Sequence, residues 1–149
     1  MVARKRLLHS TVVLAILAAS ASPIDAQSNS IFHRATSYLK AQERVMQRGA
    51  SLADIENLMS FYSSNYIYRD ARVGITIRGI ERVRTGSASH LGESRNATVR
   101  IEHAVADGST VALKVLTSFT VTETGERVRR SNLVVLHFTG KKISERIDF

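Results

Sequence analysis

The chain predicts an α+β domain in which helices come first and an antiparallel sheet follows. In the first half, apolar residues recur mainly at three- and four-residue spacing; from Asn96 onward the spacing changes to two. Three Gly-containing turns divide that alternating half into long strands. Helices laid on one face of such a sheet make an α+β architecture.

The first helix is expected over Ile31 to Gln47, with Ile31, Ala35, Tyr38, Leu39, Val45 and Met46 on one face and Gly49 ending it. Ser51 opens a second helix, with Asp54 as its capping-box partner three residues on. Its buried face would be Leu52, Ile55, Leu58, Met59 and Tyr62. Asn65 to Arg69 reads as a short, aromatic-rich strand that ends at Asp70. Gly74 and Gly79 punctuate the segment after it. Ile80, Val83, Ala88 and Leu91 suggest a third, shorter helix, weakened by Gly86. Next, Ala97, Val99 and Ile101 alternate with Thr98, Arg100 and Glu102. After Asp107-Gly108, the residues Val111, Leu113, Val115, Phe119 and Val121 carry a second strand. Thr124-Gly125-Glu126 turns the chain into a third, whose single stripe is Val128, Arg130, Asn132, Val134, Leu136 and Phe138. Thr139-Gly140-Lys141 turns again and Ile143 to Phe149 closes an antiparallel meander.

Residues 1–26 are expected to be a signal peptide. Arg4, Lys5 and Arg6 form a cationic start, Thr11 to Ala19 an apolar core, and small residues follow as far as Ala26. Cleavage after Ala26 leaves residues 27–149 as one domain; cleavage after Ala21 competes with it. The apolar run falls short of the ~20 residues a spanning helix needs. The mature protein is therefore expected to be secreted, with the bacterial periplasm as its destination, and without stable membrane insertion. The chain has no cysteine, which excludes disulfides, cysteine-ligated metals and a lipid-modified N-terminus of the bacterial kind.

The whole chain carries 21 basic and 13 acidic residues. Apart from Arg4, Lys5 and Arg6, the basic residues are dispersed from Arg34 to Arg146 with no block of five or six like charges, so no nucleic-acid partner is expected. His33, His90 and His137 lie far apart and no His-x-x-x-His pair occurs, so no metal site is expected. No phosphate-binding Gly-rich loop or Gly-x-Ser-x-Gly elbow is present either. No cofactor is implied.

Two helices, a strand ending in Asp, a third helix and then a long sheet resemble the nuclear-transport-factor-2-like superfamily, in its SnoaL-like and ketosteroid-isomerase-like branch. The resemblance is carried by Tyr66-Ile67-Tyr68-Arg69-Asp70-Ala71-Arg72-Val73-Gly74, by Arg78-Gly79, and by the closing Phe138-Thr139-Gly140-Lys141-Lys142-Ile143-Ser144-Glu145-Arg146-Ile147. It implies a cone: about three helices packed on a strongly curved antiparallel sheet, around a pocket. It also places Asp70 where that family keeps a general base, able to remove a proton beside a carbonyl. An Asp that caps a turn or pairs with a pocket arginine is the plainer alternative. Tyr38 falls near the family's oxyanion-hole tyrosine, although an aromatic at helical spacing is also an ordinary core residue. The family's second oxyanion donor, a protonated acid, corresponds to Val134, so that half of the isomerase machinery is missing.

Arg130 and Asn132 interrupt an otherwise apolar stripe. They either face the pocket, where Asp70 or a ligand carboxylate could pair with Arg130, or lie on solvent beyond a bulge. His103, in register with Ala97, Val99 and Ile101, is expected inward, and Tyr66 completes the pocket set. The resulting expectation is a small, partly apolar molecule bound in the cone. The rivals are a cofactor-free isomerase, cyclase or dehydratase using Asp70, and a dimeric envelope module joined through outward residues Leu116, Leu133 and Val135. A homodimer is expected. Ligand identity, catalysis and cleavage site are open at this level.

Overall fold

The structure, a computed structural model, describes residues 23–149. The apolar run Thr11 to Ala19 and the small residues as far as Ala21 lie outside them. Helix α1 spans Pro23–Val45, so the expected boundary after Ala26 falls within its first turns. Ile31, Ala35, Tyr38, Leu39 and Ala41 are buried along one stripe, and this stripe lies on the sheet. The apolar period located that face but not the helix start, which precedes the buried stripe.

Helix α2 (Leu52–Met59) begins at Ser51, whose backbone N–H donates to Asp54 Oδ2 at 2.8 Å. Leu52, expected in the core, is 66% exposed. It is the first helical residue, beyond the reach of the sheet, and Ile55, Leu58 and Met59 make the buried face instead. The remaining elements are β1 (Tyr62–Asp70), β2 (Ile75–Arg78), α3 (Ile80–Ser89), β3 (Ser94–Asp107), β4 (Thr110–Val121), β5 (Arg127–Thr139) and β6 (Lys142–Asp148). Gly79 precedes α3 with φ 88°, a left-handed conformation that disfavours any side chain, and its N–H bonds Tyr66 O at 2.9 Å.

All six strands form one sheet in the order β2-β1-β6-β5-β4-β3. The antiparallel meander is present from β3 to β6, but β6 pairs with β1 in parallel, so the sheet is mixed. That pairing joins strands remote in sequence, which local periodicity does not report. The short edge strand β2 also went unread between its two glycines. The parallel pair sets Tyr68 beside Arg146 and Asp70 beside Asp148. Register shifts between Arg95 and Thr98 and between Ile101 and His103 bend β3. The core between helices and sheet is filled by Tyr38, Ile55, Tyr66, Leu113, Leu136 and Ile143, each almost wholly buried.

Candidate functional site

A cavity of about 690 Å³ opens between the helices and the concave side of the sheet. The helices contribute Val45, Leu58 and Val83 to its walls, the turn after α1 contributes Met46, and the strands contribute Tyr62, Tyr66, Tyr68 and Phe119. Its charged lining is Arg82, Glu93, Arg130 and Arg146.

The cavity floor is built on β1 and β6. Arg146 grips Asp148 with two bonds, Nε to Oδ1 at 2.6 Å and Nη2 to Oδ2 at 2.8 Å. Its third nitrogen, Nη1, donates to Tyr38 Oη at 2.7 Å. Tyr62 Oη donates to the same Tyr38 oxygen at 3.1 Å. The side chains of Arg146 and Asp148 are only 13% and 5% exposed. Charges buried to that degree persist because the fork matches the carboxylate and the remaining donor is satisfied. The sequence reading missed this pair. Its signal was the i, i+2 spacing, which puts both residues on one face of a strand.

Asp70, at the end of β1, is tied to Arg72. Its Oδ1 accepts Arg72 Nε at 2.9 Å and its Oδ2 accepts Nη2 at 2.6 Å, while Oδ1 also accepts the Arg72 backbone N–H at 3.1 Å. These bonds, the guanidinium contact foremost, hold the Asp70 carboxyl down at about 2. A carboxylate so stabilised is a weak base at neutral pH. Arg72 also donates from Nη1 to Asn132 Oδ1 at 3.1 Å. The Asp70–Arg130 pair suggested by a shared cavity does not form, because Arg72 folds back across the turn after β1. The Tyr68 hydroxyl lies 3.4 Å from both Asp70 Oδ2 and Asp148 Oδ2. Burial and the Asp148 charge push it up to about 12.

The other expected residues fall in distinct places. Tyr66 lines the cavity, its ring centroid 4.0 Å from that of Tyr62. Burial raises both hydroxyls well above the ordinary tyrosine range, so both stay protonated. Tyr38 is buried behind the wall, linked to the cavity through Arg146. The β4–β5 register runs without a break from Thr110↔His137 to Thr120↔Arg127. Arg130 therefore keeps the inward face of its stripe and lines the cavity, its guanidinium 5.9 Å from the Phe119 ring. Asn132, expected in the pocket, shares that face opposite Val115 but is not part of the cavity wall, and it is engaged by Arg72.

His103, expected inward, is exposed on the outer face opposite Lys114. The bulge at Glu102 inserts one extra residue and shifts the inward register from Ile101 to Ala104. Val134 has Asp148 as its cross-strand neighbour. That carboxylate is already committed to Arg146. Among the described residues no group of three or more His, Cys, Asp or Glu could hold a metal ion, and no helix is long and apolar enough to cross a membrane.

Helices on one face of a bent sheet, with a cavity between them over a charge-paired floor, make a small α+β domain. The chain belongs to the SnoaL-like domain family, whose sequence profile matches residues 43–146. Its fold is that of the NTF2-like, ketosteroid-isomerase-like proteins. One similar structure is an LEH-like epoxide hydrolase from M. tuberculosis, with TM-score 0.67 and 17% identity over 81% of this chain and 82% of that one. A candidate SnoaL-like polyketide cyclase from Shewanella putrefaciens has TM-score 0.66 and 17% identity, covering 95% of this chain and 91% of its own. A ketosteroid-isomerase-like protein from Catenulispora acidiphila, in complex with trimethylamine, has TM-score 0.59 and 18% identity over 75% and 83%. At such identities the likeness is one of fold. No curated protein sequence matches the chain.

Proposed function

We propose that the protein is an exported binder of a small, partly apolar molecule, held in the cavity between helices and sheet. The observation that carries this reading is the cavity itself: about 690 Å³, walled by aliphatic and aromatic side chains over a floor whose hydrogen bonds are already made. Small-molecule sites have this size and this composition. Export rests on the basic, apolar and small-residue pattern of residues 1–26. Binding is favoured over proton transfer because Asp70 is held by Arg72 in its charged, weakly basic form. The titration of an anilinonaphthalene sulfonate dye tests the site. Saturable fluorescence enhancement is expected and should vanish in Ser87→Trp, which fills the cavity from α3. Leu133→Lys on the outer face should leave it intact. Dye binding lost in Leu133→Lys and retained in Ser87→Trp would refute the pocket.

A homodimer is supported by a second observation. On the outer face, Val105, Ala112, Val135 and Ile147 lie side by side across four strands, next to Leu133, which is 45% exposed. Such an apolar row marks an interaction surface. Sedimentation should show a dimer that Leu133→Lys converts to monomer; a monomeric wild type would end this reading.

A further inference from the structure

The charges around the cavity are distributed unevenly. At the floor, Arg146 is neutralised by Asp148 through two hydrogen bonds, and beyond it Arg72 is neutralised by Asp70. Nearer solvent, Arg82 on α3 and Arg130 on β5 line the cavity from different walls, and among the described residues neither makes an ion pair. The one acid in the lining is Glu93, whose Oε2 lies 2.7 Å from His90 Nδ1 and whose side chain is 62% exposed. Two further arginines, Arg127 and Arg129, lie on the other face of the same end of β5 and strengthen the positive potential there. Arg130 is held beside the cavity by the Phe119 ring, which leaves the guanidinium donors free to meet a ligand.

Building on the proposed binding role, we infer that the ligand is an amphipathic carboxylate. Its apolar body lies among Val45, Leu58, Val83 and Phe119, and its charged end meets Arg130 and Arg82 at the mouth. The floor is no place for the carboxylate, because Arg146 has its counter-ion and a second anion would lie close to Asp148 and Asp70. It can take a neutral polar group, within reach of the Tyr68 hydroxyl. An ammonium head would be repelled by the two mouth arginines.

Calorimetric titration with octanoate, octanol and octyltrimethylammonium separates the contributions of tail and head. A hydrogen-bonded charge pair of ~1.5–3 kcal/mol corresponds to roughly tenfold to a hundredfold in affinity. Octanoate should therefore bind at least about tenfold more tightly than octanol, and the cation most weakly. Arg130→Gln and Arg82→Gln should each erode the octanoate advantage while leaving octanol unchanged, and Arg127→Gln, outside the cavity, should alter neither. Octanol binding as tightly as octanoate, or octanoate binding undiminished in Arg130→Gln and Arg82→Gln, would overturn the carboxylate while leaving the binder. No binding of any of the three, in a protein that also fails to bind the dye, would overturn both.

Discussion

The floor and the mouth of the cavity use the same residue, arginine, in opposite ways. At the floor, Arg146 spends all three nitrogens on Asp148 and Tyr38, and its side chain is 13% exposed. At the mouth, Arg130 and Arg82 are exposed and make no ion pair among the described residues. A guanidinium removed from water must find a carboxylate within the fold; one in contact with water need not. The difference separates charges that hold the domain together from charges that the proposed ligand would meet.

The sharpest way to break that distinction is to unpair the floor. Arg146→Met leaves the Asp148 carboxylate buried without its partner and should cost about 3–5 kcal/mol of stability. The double variant Arg146→Met with Asp148→Leu should recover much of the loss, because it removes both charges. Urea denaturation measures each; a single variant as stable as the wild type would mean that the pair is not buried in solution. Tyr38→Phe removes the oxygen that accepts from both Arg146 and Tyr62, and should cost about 1–3 kcal/mol by the same measurement.

A smaller effect is expected from Asp70 and is best seen in acid. Its folded pKa, about 2, lies below the ordinary 3.8. The Arg72 pair therefore contributes stability that is full above the ordinary value and is lost as pH falls through the folded value. Unfolding midpoints followed from pH 5 down to pH 2 should drop less in Asp70→Asn than in the wild type. Parallel curves would show that Arg72 does not hold Asp70 in solution. The smallest expected change is in Arg130→Gln, which should alter stability by no more than about 0.5 kcal/mol.

Much of this arrangement was legible in the sequence, and the part that was not shares one cause. The capped start of α2, the glycine-bearing turns and the stripe on β5 arise from local spacing and turn chemistry, and the structure contains them. The same stripe brought Arg130 to notice, since a cation among inward apolar positions is conspicuous. Local spacing fails where a strand gains a residue: the bulge at Glu102 turned His103 to the outer face. It fails again where partners are far apart. Nothing near Asp70 indicates that Asp148 is its neighbour, and only the parallel pairing of β1 with β6 brings Tyr68, Asp70, Arg146 and Asp148 together. The floor of the cavity is thus a product of topology, whereas its mouth is written along single elements.

The most direct test is one thermal unfolding experiment on wild type, Arg130→Gln and Arg146→Met, each with and without octanoate, since a ligand of the folded state raises the midpoint by mass action. Octanoate is expected to raise the wild-type midpoint. Arg130→Gln should match the wild type without octanoate and gain little from it, and Arg146→Met should melt well below both. Full protection of Arg130→Gln by octanoate, or an Arg146→Met midpoint equal to that of the wild type, would contradict the division of labour between mouth and floor.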